Sequence, residues 1–107
     1  MNRDIRATQT KLRRGKVLRI LQFTSPLALA DANDLYRLLQ DAGESMTIAQ
    51  VHELLRDLKQ REYLTYESKR DAREELPIVR WIRLLPAGRD VLEGTRTDPA
   101  VDLIYLG

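Results

Sequence analysis

TIAQVHELLRDLKQREY, residues 47–63, holds the clearest helical period in the chain and passes straight into strand-like sequence. Thr47 and Gln50 have the spacing of a capping box, in which the threonine oxygen accepts from a free first-turn amide and the glutamine reaches back. Ile48, Val51, Leu54, Leu55 and Leu58 then recur at three- and four-residue steps, the period that gathers side chains on one face of a helix. That face is core. At about 100° per residue the opposite face centres on Ala49, Glu53, Arg56 and Gln60, flanked by Gln50 and Asp57 on one side and by His52 and Lys59 on the other. Its charge is mixed.

Upstream, Gly43, Glu44, Ser45 and Met46 form a short turn, the connection a helix-turn-helix requires. Before it, Leu35, Leu38, Leu39 and Ala42 give a second helix its apolar stripe, and Gly43 stands where a left-handed C-terminal cap belongs. Ser25 with Pro26, Asp31 and Asn33 are all competent to start that helix. The region of Asp31 is preferred, which makes Leu27 and Leu29 linker residues packed on the core. A first helix is expected from near Arg13 to near Phe23, burying Val17, Leu18, Ile20 and Leu21. Gly15 argues against one uninterrupted helix through residues 8–23, because an interior glycine costs about 1 kcal/mol relative to alanine. Residues 1–12 are therefore expected to be a basic arm, or a helix formed only against a partner.

Downstream of Tyr63 the period changes from helical to alternating. YLTYE at 63–67 and IVRWIRL at 78–84 are rich in β-branched and aromatic residues and read as the two strands of a hairpin. Their charged connection SKRDAREELP, residues 68–77, is too long for a tight turn and makes a protruding wing. Strict alternation puts Ile78, Arg80, Ile82 and Leu84 on one face of the second strand and Val79, Trp81, Arg83 and Leu85 on the other. Both faces are substantially apolar, so the outer one calls for a cover, either the C-terminal tail or another subunit. PAGRDVLEG, residues 86–94, is a short helix with Pro86 at its first position, Val91 and Leu92 inward and Gly94 at its end. The tail, residues 95–107, carries Val101, Leu103, Ile104, Tyr105 and Leu106. It is too apolar to stay in water and too short to fold alone, and is assigned to docking or dimerisation.

A chain of 107 residues with 43% apolar side chains is one domain, long enough for a real core. Having no cysteine, it has no disulfide, thiolate metal site or thiol catalysis, as suits a reducing cytoplasm. MNRDIRATQTKLRRGK lacks the apolar core of a signal peptide, and no later run is long enough to span a membrane. The expectation is a cytoplasmic protein with no membrane partner. The formal charge of +2 conceals an asymmetry: residues 1–19 hold seven cations against Asp4 alone, a local +6, which leaves −4 for the rest. A basic front suits a polyanion, whose phosphates are neutralised as counterions leave; the bland alternative is a solubilising arm.

RGKVLRILQF, TIAQVHELLRDLKQREYLTYE and WIRLLPAGRDVLEG together resemble the winged helix-turn-helix superfamily over residues 13–94. The likeness is to small bacterial regulators of the PadR and MarR kinds, and to small winged-helix proteins of Mu-like bacteriophages and prophages through QVxxLLxxL, the LTYE-like strand and the AGxDVxxG ending. The fold it implies is α+β, mainly α: a three-helix core, a two-stranded wing and a short C-terminal helix. Two positions depart from that pattern. Leu85 stands where threonine commonly caps the final helix, and a missing oxygen cap costs roughly 1 kcal/mol. Glu62 stands where glycine commonly precedes the first wing strand; a left-handed turn is unfavourable for glutamate, so the junction is expected to differ or residues 61–63 to extend the helix.

The resemblance implies double-stranded DNA as partner, a homodimer as the binding unit, and transcription regulation or a phage DNA-associated role. A winged-helix protein-interaction module is the alternative, since this fold does not by itself imply DNA binding. In such proteins the third helix reads base edges while neighbouring cations hold phosphates. Thr47, Gln50, His52 and Arg56 are the candidate readers; Lys59, the wing residues Lys69, Arg70 and Arg73, and the frontal Arg13, Arg14 and Lys16 are the candidate phosphate contacts. Glu53, Asp57, Asp71, Glu74 and Glu75 oppose a polyanion, and an isolated histidine is more often a solvent-facing structural residue than a contact. One histidine, no cysteine and no glycine-rich phosphate loop assemble neither a nucleophile with its base nor a metal site, so no enzyme activity, cofactor or metal is expected.

Overall fold

The computed structural model describes residues 2–103, with side chains from residue 5 onward. Its elements follow in the order α1 (Asn2–Thr24), β1 (Leu29–Asp31), α2 (Ala32–Asp41), α3 (Ile48–Gln60), β2 (Leu64–Lys69), β3 (Ile78–Leu84) and α4 (Pro86–Glu93). The strands form one antiparallel sheet in the order β1-β3-β2. The fold is α+β and mainly helical, a layout compatible with a winged helix. Among the described residues no helix is long and apolar enough to cross a membrane. The tail residues Ile104, Tyr105 and Leu106 lie outside the described residues.

The starts of α2, α3 and α4 follow the sequence closely. Asp31 caps α2 by accepting from the Asp34 amide at 2.8 Å. Thr47 and Gln50 close the capping box of α3, with Gln50 N donating to Thr47 Oγ1 at 3.1 Å and Thr47 N to Gln50 Oε1 at 2.9 Å. Leu85 begins α4 without a side-chain cap. Gly88, one turn in, lies against the α3–β2 junction so closely that a Cβ there would sit 2.2 Å from the Tyr63 carbonyl oxygen. The same oxygen accepts from the Leu85 amide at 2.9 Å, so α4 is registered on that junction.

The first helix departs from expectation. It starts at Asn2 rather than near Arg13, so the segment assigned to an arm is helical, and Gly15 does not interrupt it. The glycine serves packing instead: a Cβ there would lie 2.2 Å from the Asp102 carbonyl oxygen. The tail crosses α1 at that point, with Asp102 N donating to Lys11 O at 3.1 Å. Val101 and Leu103 are half-buried against the core beside it. A close approach of two backbones needs a residue without a side chain, and a helix several turns long absorbs the propensity cost.

The junction after α3 also differs. The helix stops at Gln60 and residues 61–63 do not extend it; Glu62 itself takes the left-handed conformation, φ 65. Tyr63 N donates to Leu58 O at 3.0 Å and Glu62 N to Lys59 O at 2.9 Å, the paired closure of a Schellman motif. Burial of Tyr63 and Leu64, 3% and 0% exposed, pulls the chain into that turn against the roughly 1–2 kcal/mol a non-glycine residue loses there.

The sheet has a third strand that the sequence conceals. Leu29, expected as a linker residue, belongs to β1 and pairs with Ile82; Leu27, expected on the core, is 76% exposed. Three residues are too few to display an alternating period. Strict alternation also fails in β3. Thr65 pairs with Arg83 but Glu67 with Arg80, so Trp81 and Ile82 together face Tyr66 across a β-bulge, with Trp81 at φ 57. The extra residue resets the frame. Val79 and Ile82 therefore both point into the core, 4% and 0% exposed, while Arg80, Trp81 and Arg83 are exposed. The core itself joins Val17, Leu18 and Leu21 of α1 to Leu35 and Leu39 of α2 and to Val51, Leu55 and Leu58 of α3. Each fully buried leucine contributes about 1.5–3 kcal/mol.

Candidate nucleic-acid interface

Three cations of the basic front, Arg13, Arg14 and Lys16, are turned inward. Arg13 Nε lies 3.0 Å from Glu44 Oε2 and Lys16 Nζ 2.7 Å from Glu44 Oε1. The same two cations donate to the carbonyl oxygens of Ser45 and Ala42, at 3.1 and 3.3 Å. Arg14 Nε meets Asp57 Oδ2 at 2.7 Å while its Nη1 donates to Ala100 O at 2.9 Å. These three side chains clamp α1 to the α2–α3 turn, to α3 and to the tail, and their charge is largely met before any ligand arrives. Glu44 is 9% exposed. Burial alone would raise its carboxyl, but hydrogen bonds and charge from Lys16 and Arg13 together outweigh it and hold the group below the usual carboxylate range.

The mixed face of α3 separates into two flanks. Towards α1 a cleft is bounded by Arg14, Gln50, Glu53 and Asp57. Asp57 is neutralised there by Arg14 and by Arg61, whose Nε lies 3.2 Å away. Towards the hairpin the helix presents His52, Arg56 and Lys59. Lys59 Nζ stands 4.4 Å from the centroid of the Tyr66 ring and donates to Tyr66 O at 3.4 Å, tying α3 to β2. Burial, then the Arg56 charge, lowers the His52 pKa and keeps the imidazole neutral at pH 7. Burial raises the Tyr66 phenol against the opposing charge of Arg56, so one guanidinium influences both rings.

The other candidates divide similarly. Thr47 and Gln50 are engaged with each other in the cap, which uses the threonine oxygen and the glutamine carbonyl oxygen. Lys69, Arg70 and Arg73 are exposed in or beside the wing. Asp71, an apparent diluent of the wing's charge, braces its turn by accepting from Arg73 N at 3.0 Å. Among the described residues, Arg56, Lys69, Arg70 and Arg73 are in no ion pair.

Sequence reading missed the partners that decide this electrostatic pattern. Glu44, Asp57 and Asp98 meet cations far along the chain: the pairs Arg13–Glu44 and Arg14–Asp57 are 31 and 43 residues apart. No local spacing announces them. Asp98 anchors the tail by accepting from Tyr63 Oη at 2.5 Å and lies 3.5 Å from Arg61 Nη1. Burial would raise its carboxyl, yet the bonds from Tyr63 and the Ala100 amide and the charges of Arg61 and Arg14 together lower it. Comparison with protein-family models, with curated proteins and with solved structures finds no match to this chain.

Proposed function

We propose that this protein binds double-stranded DNA as a cytoplasmic winged-helix regulator or phage DNA-associated protein, with α3 in a major groove and the β2–β3 wing on flanking phosphates. The observation that supports this best is the division of α3. Its acidic flank is neutralised internally at Asp57, while Arg56 and Lys59, with the neutral His52 beside Arg56, form a cationic flank towards the hairpin whose wing carries Lys69, Arg70 and Arg73. Arg56 is the proposed base reader and the wing cations are the proposed phosphate contacts. Arg13, Arg14 and Lys16 contribute by fixing α1 rather than by touching phosphate. The binding unit is a homodimer, joined through the N-terminal segment, where Ile5 is 67% exposed among polar and charged neighbours.

Selection against random duplex DNA followed by anisotropy titration tests the reading. Arg56→Ala is expected to weaken the preferred site by about 1–3 kcal/mol, and Lys69→Ala to lower the salt slope by about 1. A chain that binds no duplex at low salt overturns it. The second reading, a protein-interaction module, is favoured by the internal engagement of Arg13, Arg14 and Lys16 and by an exposed aromatic surface away from α3.

A further inference from the structure

That surface is the outer face of the sheet. Trp81 is 51% and Ile78 38% exposed there, and the bulge holds Trp81 at φ 57, a backbone conformation unfavourable for a bulky residue. Strain of this kind, carried by an aromatic that contributes little to the core, marks a position kept for contact. Two adjoining depressions share the indole. One is bounded by Ala28, Thr65 and Arg83, the other by Lys69, Ile78 and Arg80, and Glu67 borders both. Three cations stand against Glu67, and Asp31, opposite Arg80 on β1, is turned to the cap of α2; among the described residues none of Lys69, Arg80 and Arg83 is in an ion pair.

We propose that this face binds an acidic, extended peptide segment of a partner protein. An apolar side chain of the segment packs between Trp81 and Ile78 while its carboxylates meet Arg80, Arg83 and Lys69. Residues 78–83 offer room for about six extended residues at roughly 3.3 Å each. A second copy of the chain fits poorly, because identical faces would oppose like charges. Single-stranded nucleic acid also fits less well: successive bases need a series of open aromatic rings, and Tyr66, which borders the first depression, is half-buried with its ring taken by Lys59. The site shares Lys69 with the DNA reading, but Trp81, Arg80 and Arg83 have no part in that reading and Arg56 has none in this one, so variants at those residues separate the two.

Trp81 is the only tryptophan, so its emission reports this face directly. The full chain is titrated with a blocked Asp-Glu-Asp-Leu-Glu-Asp-Glu peptide, with its lysine counterpart, with a version carrying serine for leucine, and with oligothymidylate. The expected result is a saturable change in Trp81 emission with the acidic leucine peptide. Affinity should fall about tenfold in the folded double variant Arg80→Glu, Arg83→Glu and stay unchanged in Arg56→Ala. If the double variant does not fold, Lys69→Glu at the exposed end of β2 takes its place and is expected to weaken binding severalfold. Absence of any response, an equal response to the lysine or serine peptide, or tighter binding of oligothymidylate overturns the proposal.

Discussion

Arg14 of α1 and Asp57 of α3 meet at 2.7 Å, with side chains only 17% and 31% exposed. Through its second arm Arg14 also holds the carbonyl oxygen of Ala100, so one guanidinium joins the first helix, the third helix and the tail. Arg61 lies 3.2 Å from the same Asp57 oxygen, and the carboxylate at the acidic edge of α3 is thereby removed from the outward field.

Arg14→Ala removes two charge-assisted contacts but leaves Asp57 paired to Arg61. It is expected to destabilise the fold by about 2 kcal/mol, and Asp57→Asn by about 1 kcal/mol. Urea unfolding measures both as a lower midpoint at unchanged slope. A change within about 0.5 kcal/mol for Arg14→Ala would mark a merely superficial pair.

Glu62→Gly should stabilise the protein. Glu62 is exposed at φ 65, so glycine relieves left-handed strain without losing a packed side chain, less the extra freedom it gives the unfolded chain. The net gain is about 0.5–1 kcal/mol. Thermal or chemical melts showing a loss would contradict the junction geometry.

Gly15→Ala sets two effects against each other. Helix propensity favours alanine by about 1 kcal/mol, but the new Cβ would fall 2.2 Å from the Asp102 carbonyl oxygen. Backbone cannot yield as a flexible side chain does, so overpacking of about 1–3 kcal/mol wins and the tail moves. Faster hydrogen exchange at the Asp102 amide, which donates to Lys11 O, is the expected signature. A more stable variant with unchanged exchange would refute it.

Acid should unfold this protein through Glu44 and Asp98. Both carboxyls are held below their usual values in the fold. The unfolded chain therefore binds more protons than the native one over that range. The stability these groups contribute is complete above the unfolded pKa of about 4 and is lost as pH falls through the lowered folded values. Glu44→Gln with Asp98→Asn should flatten the pH dependence below about pH 5. An acid slope identical to that of the parent would count against both clamps.

His52 is a built-in reporter of the proposed interface. Its pKa is lowered by burial and then by Arg56, so Arg56→Ala should move it up towards the ordinary value in an NMR titration. Duplex DNA should move it the same way by placing phosphates beside it. A histidine indifferent to duplex at saturation would argue against contact through this flank of α3.

Local chemistry made much of the fold legible. The capping box at Thr47 and Gln50, the cap at Asp31, the closing Gly43 and Gly94 and the stripe through Val51, Leu55 and Leu58 are all short-range or periodic signals. Each appears where its spacing requires. The candidate site was less legible. Its cations could be named from the sequence, but which of them are already engaged depends on carboxylates many residues away.

What the sequence by itself determined is where α2, α3 and α4 begin, where the period changes, and which face of α3 is apolar, because these follow from interactions over a few residues. Tertiary structure decided the rest. Gly15 tolerates a continuous helix because the tail crosses it, and Glu62 takes a left-handed turn because Tyr63 and Leu64 are drawn into the core. Trp81 is turned outward by a bulge that exists only in the pairing of two strands. Arg13, Arg14 and Lys16 clamp α1 because Glu44 and Asp57 are brought to them by packing. Each outcome is a contest between a local preference and a contact distant along the chain, and only the folded arrangement supplies the second term.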